Sequence, residues 1–396
     1  MSRPDPPAIL VVNAGSSSVK FALFGVAEHG LGERILEGEV AGIGASATLE
    51  IEGARRERRP VALDSPQGPQ SAALDVVLEA LHDVAQDYTV AAVGHRVVHG
   101  GTHFAEPVVV TPAVMSVLEG LSALAPLHQP HNLAALRRLQ SRLPDALQVA
   151  CFDTAFHRTC SPLAQRFALP RALHDAGIRR YGFHGLSYEY IARQLPALLP
   201  PDARRVIVAH LGAGASLAAL MDGKSIATTM GFTALDGLMM GTRCGNLDPG
   251  VVLHLLTAQG MSVEDVTRLL YRESGLLGVS GLSADMRELL SSETSAAQEA
   301  VSLFCYRAVR EIGSLTAALG GLDAVVFTAG IGERAAPIRQ RIIEGLGWLG
   351  ATLNPEANAK NATRISTPDS ALSAWVIPTD EEAMIAVHTR ALMAYP

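Results

Sequence analysis

Two stretches of this chain, half its length apart, follow one plan: "ILVVNAGSSSVKFALF" from Ile9 and "VIVAHLGAGASLAAL" from Val206. In each, an apolar strand meets a polar residue, then glycine among small residues, then a second apolar strand. Asn13 and Gly15 in the first copy thereby correspond to His210 and Gly212 in the second. Bare backbone N–H groups in such a turn can approach an anion closely, which suits phosphate. Two matching β-turn-β starts predict two domains of similar topology facing each other, with a phosphate-contacting turn on each wall of a cleft. Two unrelated hairpins with glycine turns account for the pattern equally well.

The rest of the chain reads as α/β. Apolar runs of strand length alternate with stretches at helical spacing, such as "SAALDVVLEALHDVAQ" and the segment from Ser295 to Leu319 that feeds "LDAVVFTAGIGE". With 396 residues, 48% of them hydrophobic, the chain is long enough for about two domains. A net charge of −7 offers no electrostatic footprint for nucleic acid or an anionic membrane surface. The four cysteines, Cys151, Cys160, Cys244 and Cys305, are too scattered for a disulfide framework or a zinc site. No signal-peptide pattern and no bilayer-length apolar run is present, so a soluble cytoplasmic protein is expected.

The glycine loops fail the common nucleotide motifs. Gly223, Lys224 and Ser225 supply the end of a P-loop, but Ala218 stands where its first glycine belongs, in a strand–turn–strand setting. Gly330, Gly332 and Ala335 match a dinucleotide fingerprint, but too little chain follows for a dinucleotide domain. A strand-to-helix phosphate or nucleoside contact of another fold is the better reading there.

Several short segments concentrate reactive side chains. "GHRVVHGG" holds Arg96 and His99, "APLHQPHN" holds His128, and "FDTAFH" holds Asp153 and His157. "YGFHGLS" holds His184, "GLMMGTRCGNLDPG" holds Arg243, and "IPTDEEAM" holds Asp380, Glu381 and Glu382. Arginines that neutralise developing charge, histidines that donate hydrogen bonds and carboxylates that hold magnesium suit phosphoryl transfer. Each residue also has an ordinary reading. The arginines could form plain ion pairs, His184 could be a satisfied half-buried histidine, and His210 could simply orient its loop. Asp153 could cap the helix after it, and Glu382 fits a capping box with Thr379, which leaves Glu381 as the metal candidate.

Taken together in order and spacing, "VVNAGSSSVKF", "GHRVVHGG", "APLHQPHN", "FDTAFH", "YGFHGLS", "MGFTALDGLMMGTRCGNLDPG", "TAGIGE" and "PTDEE" resemble the acetate kinase family over essentially the whole chain. The resemblance implies duplicated actin-like (ribonuclease H-like) domains with an active-site cleft between them. It implies domains over 1–152, joined by a C-terminal helix 383–396, and over 153–382. The implied activity is reversible, Mg²⁺-dependent transfer of the ATP γ-phosphoryl group to acetate, giving acetyl phosphate and ADP, by a cytoplasmic homodimer.

Position by position, the resemblance places Arg96 and Arg243 beside the carboxylate and the migrating phosphoryl group. His184, supported by His128, would donate to the transition state, and Asp153 would orient substrate or assist the metal site. Asn13 and Glu381 would hold the metal. Ser16, Ser18 and Lys20 would form the first phosphate loop, and His210, Leu211, Gly212, Ala213 and Gly214 the second. Asp285, Met286 and Arg287 with Gly330, Ile331 and Gly332 would take the nucleoside end. Val98, Leu127, Phe183 and Ala234 would line the acyl pocket.

Two departures stand out against the family pattern. Ala234 replaces a common proline, which predicts a pocket roomier by at most about one methylene that admits propionate. Ala213 replaces the asparagine of a His-Leu-Gly-Asn-Gly motif; losing one polar contact, worth about 1 kcal/mol, predicts weaker nucleotide affinity or an altered phosphoryl-donor preference rather than a dead enzyme. Asp380, where the family often has asparagine, adds a possible ligand beside Glu381. The rival readings are a propionate kinase, a nucleotide-binding regulator that has lost catalysis, and an NAD enzyme built on the glycines after Thr328.

Overall fold

A computed structural model describes residues 5–393 except Ser16, His29, Ala45, Ala54, Arg55, Pro66 and Leu127. The chain divides into two compact units, Met1–Ala155 with Asp380–Pro396, and Phe156–Thr379. These limits differ by a few residues from 152/153 and 382/383. Asp153 goes with the first unit because its N–H donates to the Val97 carbonyl and its carboxylate pairs with Arg96. Asp380 goes there because it begins the terminal helix and pairs with Arg34.

In the first unit the strands are β1 (Pro7–Ala14), β2 (Ser18–Val26), β3 (Leu31–Ala41), β4 (Thr48–Glu52), β5 (Arg56–Pro60), β6 (Thr89–Val97), β7 (Val108–Val109) and β8 (Leu147–Phe152). They form one sheet in the order β5-β4-β3-β2-β1-β6-β8-β7. The second unit carries β9 (Arg205–Leu211), β10 (Ala215–Met221), β11 (Lys224–Thr228), β12 (Ala324–Thr328) and β13 (Ser373–Val376), in the order β11-β10-β9-β12-β13.

The sheets share a nucleus. β3-β2-β1 and β11-β10-β9 are antiparallel meanders, and each first strand continues into a parallel pair, β6-β8 or β12-β13. The matching β-turn-β starts are therefore duplicated topology rather than unrelated hairpins. Asn13 lies opposite Lys20 in the first copy, and His210 opposite Ser216 in the second. The central strands are apolar and buried on both faces, as a sheet covered by helices requires.

Gly94 lets the terminal helix Glu381–Leu392 lie against β6, because a β-carbon there would stand 2.3 Å from Thr389 Oγ1. That packing brings the start of the helix, with Glu381, toward the C-terminal end of β6. The extension β3 to β5 was not legible: β5 is exposed throughout and lacks hydrophobic alternation. Among the described residues, no helix is long and apolar enough to cross a membrane.

Candidate active site

The residues assigned to chemistry gather at strand ends in each unit. In the first, Arg96 near the end of β6 donates from Nε and Nη2 to the two oxygens of Asp153, at 2.9 and 2.5 Å. Its Nη1 donates to Asn13 Oδ1 at 3.1 Å. Asp153 is 1% exposed, and both its oxygens serve Arg96, so the side chain does not cap the helical turn after it. Burial opposes the Arg96 charge, but Asp153, Glu381 and Glu382 hold its pKa above the usual value.

Desolvation, together with the charges of Asp153 and Glu382, pushes the Glu381 carboxyl up to about 7 against the lowering influence of Arg96 and Lys20. Such a carboxylate, crowded by others, fits a divalent cation. Asp380 is already occupied: one oxygen accepts the Ala383 N–H at 2.9 Å and the other pairs with Arg34. The expected capping box of Thr379 and Glu382 is therefore corrected, because Asp380 is the N-cap. The Thr379 N–H goes to Glu333 Oε1 at 3.1 Å.

The loop after β6 is clamped by two residues that the sequence reading passed over. Asn132 accepts the Val98 N–H at 3.0 Å and donates to the Ala14 carbonyl at 2.6 Å. Gln129 accepts the His99 N–H and donates to the His99 carbonyl, at 3.2 and 3.1 Å. Both sit in the first turn of the helix Gln129–Arg142, so "HQPHN" ties the β1 and β6 ends together. His128 is the residue before that helix. Ser18 and Lys20 begin β2, beyond the turn closed by the Gly15 N–H to the Ser18 carbonyl at 2.8 Å. Ser16 and Leu127 lie outside the described residues.

In the second unit, His184 precedes the helix Gly185–Leu198 with φ 57°, a left-handed conformation uncommon for any residue but glycine. Its ring stacks on His210 with centroids 4.1 Å apart, and its Nδ1 lies 2.8 Å from Ser216 Oγ. His210 Nδ1 is in turn 2.9 Å from Ser187 Oγ. Just before His184, the buried His157 donates from Nε2 to the Phe183 carbonyl at 2.9 Å. Gly182 makes room for it: its φ is +77°, and a β-carbon would meet the His157 ring at 2.6 Å.

Arg243 converges on the same spot. Its Nη1 donates to the Ala234 carbonyl at 2.6 Å. A β-carbon on Gly214 would lie 2.7 Å from Arg243 Nη2 and 3.3 Å from His184 Nε2. The segment presenting Ala234 is braced by Arg180, whose Nη1 reaches the carbonyls of Thr229 and Met230 and Asp236 Oδ2, at 3.0, 3.0 and 3.1 Å.

The remaining nucleotide candidates are drawn to this loop. The Gly212 N–H bonds the Gly214 carbonyl at 3.0 Å, and the Gly241 N–H bonds the Ala213 carbonyl at 3.1 Å. Gly241 also abuts Ala284, which precedes Asp285, and Gly212 abuts Ala329, which precedes Gly330. Asp285 caps the helix Met286–Ser291 and pairs with the exposed Arg287, while the Met286 side chain is buried. Leu211 is buried at the end of β9, and Ala213 is exposed. Glu333 accepts the Ala329 N–H at 2.9 Å. Gly332 is anchored through its carbonyl by the fully buried Arg339, whose pKa is lowered to about 10 by desolvation.

Known proteins resemble this chain over nearly its whole length. An acetate kinase of Rhodopseudomonas palustris (strain TIE-1) is 53% identical over 388 residues, covering 96% of this chain and 97% of that protein. An acetate kinase of Methylocella silvestris is 49% identical, covering 97% and 98%. The crystal structure of Porphyromonas gingivalis acetate kinase superposes with a TM-score of 0.86 at 36% identity, over 98% of this chain and 99% of that one. That of a propionate kinase from Francisella tularensis gives 0.89 at 37% identity, over 98% and 100%. The two α/β units have the duplicated strand order of the actin-like fold. The pattern of the acetokinase family matches residues 8–387, and the chain belongs to that family.

Proposed function

We propose that this protein is an acetate kinase, transferring the γ-phosphoryl group of ATP reversibly to acetate. The observation that carries this reading is the convergence of Arg243 Nη2 and His184 Nε2 on Gly214, in the loop assigned to phosphate. A guanidinium and an imidazole N–H at one point suit a phosphoryl group whose charge spreads over its equatorial oxygens.

An oxygen of acetate attacks the γ-phosphorus; the new P–O bond forms as the bond to the β-phosphate oxygen breaks, and ADP leaves. Acetate is already ionised at neutral pH, so no general base is needed. Arg96, aimed by Asp153, offsets the charge of the entering carboxylate, and Arg243 that of the phosphoryl group. His184 donates to the equatorial oxygens, with His128 in support. Gly212 to Gly214, with Ser18, Lys20, His210 and Leu211, hold phosphate. Asp285 to Arg287 and Gly330 to Gly332 hold the nucleoside end. Glu381 and Asn13 would hold Mg²⁺, which when bound would neutralise phosphate charge. The Asn13 Oδ1 bond to Arg96 couples the metal residue to the substrate arginine.

Val98, Phe183 and Ala234 are assigned to the acyl methyl group, and Ala234 favours acceptance of propionate beside acetate. The two units are proposed as the two domains of the family, in a cytoplasmic homodimer. In support of a dimer, the helix Pro249–Thr257 has no buried residue, although Val251 and Leu253 are 41% and 61% exposed. Sedimentation of a Leu253→Asp variant beside the parent chain tests the dimer; an unchanged dimer counts against this face. Hydroxamate capture with ATP, Mg²⁺ and acetate, propionate or butyrate tests the reaction. Capture with the first two acids supports the kinase reading; none from folded protein with magnesium supports the regulator.

A further inference from the structure

The side chains behind His184 form a chain of hydroxyls whose protons can be counted. Ser216 Oγ lies 2.8 Å from His184 Nδ1 and 2.6 Å from Tyr188 Oη. Ser216 and Tyr188 are both 0% exposed. Among the described residues, Ser216 Oγ is the only hydrogen-bond partner of the Tyr188 hydroxyl, and its own partners are these two atoms. Desolvation raises the Tyr188 pKa far above its usual value, so the phenol keeps its proton.

Two hydroxyl protons must therefore find acceptors among three atoms. If Tyr188 donates to Ser216 and Ser216 donates to His184 Nδ1, both are satisfied. If His184 donates from Nδ1, either the Tyr188 or the Ser216 proton is left buried without an acceptor, which is costly. The first arrangement leaves Nδ1 unprotonated, so the proton of the neutral ring sits on Nε2. That nitrogen is the one beside Gly214 and Arg243 Nη2.

We infer that Ser216, held by Tyr188, is a positioning residue that sets the tautomer of His184, keeping an N–H on Nε2 as the donor to the transferring phosphoryl group. The inference deepens the kinase reading and rests on it for the identity of the acceptor. It also accounts for the left-handed backbone at His184: the strained conformation places Nδ1 on the relay and Nε2 at the loop. Among the described residues, His210 stacks on the ring and Arg243 lies across Gly214 from it.

The test is long-range ¹H–¹⁵N NMR of the full chain labelled with [¹⁵N]histidine, at a pH where the ring is neutral. The His184 signals are assigned by their loss in His184→Gln. In the parent protein His184 should be protonated on Nε2. Ser216→Ala takes away the proton donated to Nδ1, so the population should move toward Nδ1–H, with a change in tautomer ratio of about tenfold. The same variant should lower kcat by about tenfold with KM for ATP and acetate within about twofold, as expected for part of one transition-state donor. Tyr188→Phe leaves Nδ1 as the acceptor of the Ser216 proton, so Nε2–H should persist in that variant.

A parent protein with its proton on Nδ1 overturns the inference, even if neither variant folds. So does Ser216→Ala with unaltered tautomer ratio and kcat. If the parent ring is Nε2–H but His184→Gln still forms acetyl phosphate at the parent rate, the relay stands and the catalytic role of His184 fails.

Discussion

Arg96 and Asp153 share two hydrogen bonds, and the same guanidinium reaches Asn13, so one side chain links the ends of β1, β6 and β8. Asp153 is buried and paired, which makes it an aiming device for Arg96 more than a ligand in its own right.

Replacing Asp153 should therefore disturb both stability and chemistry. Asp153→Ala leaves Arg96 with an unpaired charge in a partly buried site and is expected to cost about 3 kcal/mol in urea unfolding. Asp153→Asn should keep one hydrogen bond, cost less, and still lower kcat by misaiming Arg96. Parent-like kcat in Asp153→Asn would remove the aiming role.

Arg243 and His184 both border the space beside Gly214 that a β-carbon there would fill. Gly214→Ala puts a methyl group within 2.7 Å of Arg243 Nη2. Because small displacements of positioned groups are expensive, kcat should fall about 100-fold. The thermal midpoint, measured alongside, should barely move for this loop position. Undiminished turnover would mean the two side chains do not act together.

Ala234 offers its carbonyl to Arg243 while its methyl group is assigned to the acyl pocket. Ala234→Pro keeps that carbonyl and adds ring volume. The ratio of kcat/KM for propionate to that for acetate is expected to fall by about fivefold, the worth of roughly one methylene. A ratio that stays constant would place the acyl group elsewhere.

His95 makes stability depend on pH. Its Nε2 donates to Gln148 Oε1 at 2.7 Å, and burial lowers its pKa to about 4 from an ordinary 6.5. A lowered histidine pKa means that the unfolded chain binds the proton more readily. The neutral-histidine contribution is thus complete above pH 6.5 and is lost as pH falls toward 4. Urea titrations should show about 3 kcal/mol lost over that interval, with a shallower slope in His95→Gln. His99, likewise lowered to about 4 by burial, leaves part of the slope in that variant. An unchanged slope would contradict the assignment to His95.

Much of this was legible because the fold repeats itself. The two apolar–polar–glycine starts carry strand, turn and partner strand within one short window, and both copies became meanders of the same order. The candidate reactive residues stand out as polar side chains in glycine-flanked segments that a core would not need. What escaped depends on distant partners: Asn132 and Gln129 look like ordinary helix residues until they clamp Val98 and His99. Tyr188 and Ser216 read as core-facing residues of a helix and a strand, and only the fold puts their oxygens together. The Thr379 capping box failed because the competing Asp380, one residue later, is an equally good cap and also has Arg34 to pair with.

The most direct test of phosphoryl transfer to acetate is ³¹P NMR of the purified chain with ATP, Mg²⁺ and acetate, beside the Arg243→Ala variant. The expected result is an acyl phosphate resonance growing in step with ADP in the parent and suppressed in the variant. ADP accompanied only by inorganic phosphate, or no consumption of ATP by folded protein, would contradict it.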